Sequence, residues 1–454
     1  MKPKTQYVCQ ECGHTAPKWI GRCPVCQEWN SLSQETAASV VKPFRSVQEV
    51  TPALYDAVEA SGTPRVPTGI PEFDRVLGGG VVPGALVLLG GDPGVGKSTL
   101  MLDVAAHFSH RTPVLYASGE ESPLQIKLRG QRMGLEPGEL HIYPEMNIER
   151  VLSQADDLGV GGLVIDSIQT TFSDKLDLAP GSIGQVREVA SQFLMWTKQK
   201  QVPVFLIGHI TKDGALAGPK ALEHIVDTVL YFEGPRQYPH RIVRTIKNRF
   251  GAANELGIFE MTGEGLRPVV KASGLFLSGR DTLDAGSAVV CCVEGSRPLL
   301  VELQALVSRT HLGTPRRSTT GVDSQRMALI TAVIEKRMGI RLWDQDIYLN
   351  VVGGLEIDEP AADLGVAAAI LSSFLNVALP PSTLVLGEIG LGGEVRSSIH
   401  TRVRLKEAAS LGFKRAVLSS QSLGEVPSGF EAIGVGNLAE AVETLFGPLP
   451  EPTG

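Results

Sequence analysis

The sequence predicts an α/β protein: a central domain on a mainly parallel sheet, preceded by a small cysteine-held module and followed by a second α/β domain. Three observations carry this expectation. Between residues 61 and 270, short apolar runs alternate with helical patterns, as expected of strands joined through helices in a parallel sheet. Four of the six cysteines fall in the first 26 residues. Beyond residue 271 a different series of strands and helices begins.

The amino-terminal module spans 1–33. Cys9 and Cys12, then Cys23 and Cys26, form two Cys-x-x-Cys knuckles separated by ten residues. Each knuckle presents two thiolates to one ion, and two knuckles complete a tetrahedral shell. Zinc is expected over iron, because no electron-transfer motif accompanies the cysteines. Four protein ligands close the site, so its role is structural. Trp19 and Trp29 flank the second knuckle and are assigned to its miniature core ahead of stacking on bases or a partner. Residues 34–60 lack a strong period and read as a linker.

In the central domain the expected strands are ALVLLG, VLYASG, GLVIDS, VPVFLIG, TVLYFEG and RIVRTIKN. After the first comes Gly91-Asp92-Pro93-Gly94-Val95-Gly96-Lys97-Ser98-Thr99, opening the helical run TLMLDVAAHF. Strand, glycine-rich loop and helix together form a phosphate cradle. Its backbone amides and helix dipole face the phosphates. Lys97 is assigned to the β- and γ-phosphates of ATP, and Ser98 to magnesium. Asp166 ends GLVIDS and fits the second magnesium-associated position, held through water; the competing reading is a helix cap. Glu120 and Glu121 follow VLYASG. One of them is expected to orient the attacking water, Glu120 being the first choice.

The bulk numbers exclude several classes. With 454 residues, 43% hydrophobic and 20% charged, the chain suits a globular protein of several domains. No apolar run approaches the roughly 18 residues of a membrane span, and the start lacks a secretory apolar core. A cytoplasmic setting without membrane contact is expected. The net charge of −7 gives no global nucleic-acid signal, so DNA contacts must be local. Cys291 and Cys292 sit in an apolar run and are expected to be core.

The opening PTGIPEFDRVLGGGVVPGALVLLGGDPGVGKS, the paired glutamates and VFLIGHITKDG resemble the RecA/KaiC/DnaB class of ATPases. The cysteine module, the phosphate loop, GHITKDGALAGPKALEHIVDTVLYFEG and KNRFG, in that order, resemble the bacterial RadA (Sms) family of DNA repair proteins along essentially the whole chain. This resemblance implies a RecA-like core in a ring, read as a hexamer, driving branch migration on single-stranded DNA from joints made by the recombinase RecA. It implies that His209 senses the γ-phosphate, the alternative being a strand-end histidine satisfied by a carbonyl. It places Lys247 and Arg249 at the nucleotide edge of the sheet, serving a neighbour's ATP or the DNA. Loops 174–188 and 211–224 offer Arg187, Lys212 and Lys220 as backbone-directed DNA contacts.

The domain 271–454 resembles the protease domain of Lon. Where that family has its Asp-Gly-Pro-Ser-Ala-Gly serine, this chain has Asp358-Glu359-Pro360-Ala361-Ala362-Asp363. Counting from Gly387-Glu388-Ile389 puts the lysine of the family's dyad at Arg402. Alanine offers no nucleophile and arginine no general base, so no peptidase activity is expected. Arg309, Arg316 and Arg317 are further DNA-contact candidates, against a plain solvated basic face. The alternatives to a DNA motor are a Lon-type protease, disfavoured by Ala361, and an ATP-driven scaffold for protein partners.

Overall fold

The computed structural model describes residues 5–9, 14–25, 27–29, 31–36, 54, 64–209, 220–234, 239–269, 272–277, 284–310 and 314–448. Cys12, Cys26 and Lys212 lie outside the described residues, and Lys220 is described by its backbone alone. The chain divides into two compact units, Met1–Val269 and Val270–Gly454.

The first unit begins with strands β1 (Thr5–Cys9), β2 (Thr15–Ala16) and β3 (Leu32–Thr36), an antiparallel sheet in the order β2-β1-β3. The central core follows as α1 (Pro71–Val76), β4 (Leu86–Gly91), α2 (Lys97–Phe108), β5 (Val114–Ser118), α3 (Pro123–Arg132), β6 (Leu140–Tyr143), α4 (Ile148–Leu158) and β7 (Gly162–Asp166). It continues through α5 (Ile183–Lys200), β8 (Val204–His209), α6 (Lys220–Glu223), β9 (Thr228–Glu233), β10 (His240–Asn248), β11 (Leu256–Thr262) and β12 (Gly265–Pro268). These strands form one nine-stranded sheet, β12-β11-β10-β9-β4-β8-β7-β5-β6. From β9 to β6 the pairings are parallel.

Side-chain alternation decides the layering. Leu86 and Leu88 of β4 join Val151 of α4 and Phe193 of α5 in one core. Val87 and Leu89 join Phe73 of α1, Leu100 of α2 and Ile126 of α3 in the other. Strands covered on both faces need apolar residues throughout, and β4, β5 and β7 are buried at every position. Helix ends are fixed locally: Ser122 and Gln125 form a capping box on α3, and Asn147 caps α4, which stops at Gly159 in the left-handed region.

One expectation is overturned by the strand directions. β10 pairs antiparallel with β9, with Lys247 opposite Val229 and Asn248 opposite Thr228. Thr228 in turn pairs with Val87 at the start of β4. Lys247 and Arg249 therefore lie toward the edge opposite the chain's own phosphate loop, Lys247 level with Leu88 and Arg249 with Leu86, about 10 Å and about 17 Å along β4 from Gly91 at roughly 3.3 Å per residue. Only residues 234–239 separate β9 from β10, too few for a parallel crossover.

The second unit contains β13 (Ser287–Glu294), β14 (Arg297–Arg309), β15 (Arg317–Thr320), α7 (Ser324–Met338), β16 (Gln345–Val351), α8 (Asp363–Leu375) and β17 (Thr383–Leu386). Then come β18 (Glu388–Ile389), β19 (Val395–Arg396), α9 (Thr401–Ser410), β20 (Arg415–Ser419), β21 (Glu431–Val435) and α10 (Leu438–Phe446). Its mixed sheet runs β15-β16-β14-β13-β17-β20-β21. Helix α8 is buried along most of its length. Gly365 permits its close approach, since a Cβ there would lie 2.1 Å from Val290. Cys291 and Cys292 are buried on β13, as expected.

Candidate nucleotide-binding site

The phosphate loop joins the end of β4 to α2. Gly96 is the N-cap of α2, at φ 115. The positive φ demands glycine, whereas the nearest atom to a Cβ there, the terminal methyl of Met261 at 2.8 Å, belongs to a flexible side chain that could shift. No side chain caps α2 and its first turn holds no acid, which leaves its first amides to face an anion. Gly91 approaches Phe232 so closely that a Cβ would lie 2.4 Å from that carbonyl oxygen. Asp92, Pro93 and Gly94 are exposed, Val95 is buried, and Ser98 and Thr99 are intermediate. Lys97 is buried and donates to the carbonyls of Gly91 (2.7 Å) and Asp92 (2.9 Å). Burial pushes its ammonium down to about 8, against the pull of Asp166, Glu120 and Asp92.

Parallel pairing brings the other candidates to this edge. Ser118 pairs with Asp166, and Gly91 with His209. Asp166 is 1% exposed. Its Oδ2 accepts from the Tyr116 hydroxyl at 2.7 Å, while Oδ1 is buried without a hydrogen-bond partner. Ser98 stands beside the same carboxyl group. Burial pushes Asp166 up from the usual carboxylate range. A hydroxyl beside a carboxylate oxygen lacking a donor suits a hydrated magnesium ion.

The adjacent glutamates are in different environments. Glu120 Oε1 receives His209 Nε2 at 2.9 Å and also the Ser167 hydroxyl. Its carboxyl is held below the usual range by the His209 hydrogen bond, with Ser167 and Lys97 assisting against burial. Glu121 is paired with Arg129 of α3. His209 is thus bound to a carboxylate through Nε2, while its Nδ1 is buried without a hydrogen-bond partner. The reading as a histidine satisfied by a carbonyl does not match this geometry. Tyr116, Ser167 and Arg129 were not singled out in the sequence, although Tyr116 shares the alternation of Ser118 and was legible there as facing the same layer.

At the opposite edge, Lys247 donates to the carbonyls of Glu223 (2.5 Å) and Val226 (2.9 Å). Arg249 lies 3.8 Å from Asp227 and its side chain is 53% exposed. Asp227 is buried and accepts from Leu86 N at 3.0 Å and Lys198 at 2.7 Å. Asn248 accepts from Phe250 N and donates to Leu77 O. Arg187 is exposed near the start of α5.

In the amino-terminal module, Cys9 and Cys23 come together in one buried cluster, one from each knuckle. Cys9 N donates to His14 O and Cys23 N to Glu28 O, closing the two turns. Two converging thiols from two turns fit half of a four-sulfur zinc shell. The tryptophans depart from expectation: Trp19 and Trp29 are 53% and 69% exposed. The small core is filled instead by Tyr7, Ala16 and Leu32 with the cysteines, and Arg22 lies over the Trp29 ring.

In the second unit, Ala361 is buried in a 3-10 turn before α8. Arg402 is exposed, and the cation that reaches this loop is Arg404. Residues two apart on a helix point about 200° apart, so only one of the two faces inward. Arg404 is fully buried and binds Glu359 through both nitrogens at 2.6 Å. Arg326 likewise binds Asp363, Nε to Oδ1 at 2.7 Å. Arg309 and Arg316 are exposed, whereas Arg317 is half-buried with Nη2 on Leu342 O.

Among the described residues no helix is long and apolar enough to cross a membrane. The family model for the rubredoxin metal binding domain matches residues 7–34, and that for the AAA domain matches 56–215. Among solved structures, a KaiC-like protein from the archaeon Pyrococcus horikoshii OT3 is similar at TM-score 0.39 and 23% identity, over 46% of this chain and 99% of that one. The DNA repair protein RadA of Bacillus subtilis (strain 168) is 48% identical over 455 residues, covering 98% of this chain and 99% of that protein. That of Synechocystis is 45% identical over 474 residues, covering 97% and 94%. With a cysteine module, a RecA-like phosphate-loop core and near-half identity from end to end, the chain belongs to the DNA repair protein RadA family.

Proposed function

We propose that the chain is a DNA-stimulated ATPase of homologous recombination, working in the cytoplasm as a head-to-tail ring, a hexamer by its family resemblance. It promotes branch migration on single-stranded DNA at joints made by the recombinase RecA. The observation that carries this reading is the separation of Lys97, Glu120 and Asp166 from Arg249 across the two edges of one sheet. A cation about 17 Å from its own phosphate loop, by strand rise, is out of reach of its own nucleotide and available to a neighbour's ATP or to DNA. A head-to-tail contact supplies every site with such a cation and closes into a ring when the rotation permits.

Within a site, Lys97 exchanges the Gly91 and Asp92 carbonyls for the β- and γ-phosphates. The free amides of α2 bind the same oxygens. Glu120, pinned through one oxygen, takes the proton of the attacking water with the other. His209, bonded to Glu120, links that carboxylate to the loop after β8. Ser98 and Asp166 would hold magnesium, which would supply positive charge to offset that of the phosphates. Arg249 adds transition-state charge stabilisation from the neighbour. Lys247 is engaged by carbonyls and secures the 220–227 segment instead.

Arg187, Lys212 and Lys220 in the first unit, and Arg309 and Arg316 in the second, contact DNA phosphates; the half-buried Arg317 is tied to Leu342 O. Cys9, Cys12, Cys23 and Cys26 hold structural zinc. The second unit acts as a scaffold without peptidase activity, since Ala361 carries no nucleophile. ATP hydrolysis measured with and without single-stranded DNA, followed by extension of a three-stranded recombination intermediate, tests the proposal. No stimulation and no extension would refute it; casein degradation would restore the protease reading.

A further inference from the structure

Tyr116 places a hydroxyl deep in an apolar core. It sits in the middle of β5 in the layer beneath α2, fully buried. A tyrosine so placed needs a hydrogen-bond partner, and it takes the carboxylate of Asp166, donating to Oδ2 at 2.7 Å. The register explains the reach: Tyr116 pairs with Val164 and Ser118 with Asp166, and a long aromatic side chain spans such a diagonal. Burial and the charge of Asp166 push the phenol well above its ordinary pKa, so it remains a donor.

The other oxygen of Asp166 has the opposite environment. Oδ1 is buried without a hydrogen-bond partner, and Ser98 stands beside the carboxyl group. An aspartate χ2 is broad and roughly two-fold, so nothing intrinsic selects which oxygen faces the cradle. We propose that Tyr116 is a positioning residue, fixing the Asp166 carboxylate by Oδ2 so that Oδ1 is the oxygen offered to the hydrated magnesium ion beside Ser98. The inference rests on the magnesium reading of Ser98 and Asp166. A phenylalanine would fill the same space and leave the carboxylate free to turn.

The test uses the full-length Tyr116→Phe variant and Mn²⁺ as the probe. Free Mn²⁺ is followed by electron paramagnetic resonance in the presence of a non-hydrolysable ATP analogue. Mn²⁺ affinity should fall about tenfold, the lower end for loss of an outer-shell partner. Binding of a fluorescent nucleotide in chelator should stay unchanged. The metal concentration for half-maximal ATPase should rise by the same factor. In an Asp166→Asn background, Tyr116→Phe should add nothing. Unchanged Mn²⁺ affinity, an equal loss of metal-free nucleotide binding, or an independent loss in the Asp166→Asn background each overturns the inference. If Tyr116→Phe does not fold, fluorotyrosine at position 116, nearly isosteric and a stronger donor, must shift Mn²⁺ affinity; no shift overturns it as well. If Asp166→Asn itself leaves Mn²⁺ affinity unchanged, the magnesium reading fails and takes this inference with it.

Discussion

Glu120 and Glu121 are neighbours in sequence with different partners. Glu121 is neutralised by Arg129, so Glu121→Gln should alter ATP turnover less than about fivefold, whereas Glu120→Gln should cost about 10² to 10⁴ in kcat if it is the general base. Steady-state hydrolysis of the two variants decides between them, and equal losses would remove the distinction. Lys97 gives a second expectation. Its ammonium lies at about 8 without nucleotide because burial disfavours the charge. Bound phosphates favour the charge and raise the value again. Above that pH the free side chain is mostly neutral, so binding must take up a proton; well below it, binding takes up almost none. Calorimetry of a non-hydrolysable analogue at about pH 8.5, in buffers of different ionisation enthalpy, should show uptake of most of one proton. Lys97→Arg, which stays charged, should abolish the uptake. A buffer-independent heat in the unaltered chain would mean that Lys97 does not meet the phosphates.

Element direction was less legible than residue chemistry. The phosphate loop could be read because its glycines, lysine and serine are required at fixed spacing by one job. The buried strands could be read because a two-sided sheet makes them apolar throughout. β10 has the same composition as its parallel neighbours, so composition does not give its antiparallel direction; the short connection over residues 234–239 holds that information. The buried Arg404, bound to Glu359, carries no signal in a count from the preceding strand, because helix phase selects the inward cation. The corrected β10 separates its two cations. Lys247→Ala leaves the Glu223 and Val226 carbonyls without their donor and should lower stability by about 1–2 kcal/mol. Arg249→Ala should leave the melting temperature close to that of the unaltered chain while cutting turnover. Thermal unfolding beside ATPase assays separates the two, and a large stability loss at Arg249 would make it structural. The cysteines separate similarly. Burial pushes Cys291 up to about 12 and raises Cys292 well above the usual thiol value, so a mercurial acting on the native chain should release one zinc and titrate four thiols rather than six. Zinc retained after those thiols react would contradict the four-sulfur site.

At the scale of the whole molecule, the two sheet edges determine what an isolated subunit lacks. Lys97→Ala removes a site's own phosphate contact but leaves Arg249 available to a neighbour. Arg249→Ala does the reverse. Each variant alone should hydrolyse ATP at a small fraction of the normal rate, since a trans-supplied arginine is worth about 10³ to 10⁵ in kcat. Mixed in equal amounts and allowed to exchange, they place an intact loop beside an intact arginine at about one interface in four, if assembly is random and head-to-tail. Turnover should therefore recover toward about a quarter of the unaltered rate, well above either parent. If Arg249 served its own subunit, every site in the mixture would still lack one group and no recovery would follow. Recovery should also vanish on dilution below the assembly concentration, because a site shared between two chains exists only while they are joined. Complementation that persists in demonstrably monomeric protein would overturn the shared site, and with it the ring.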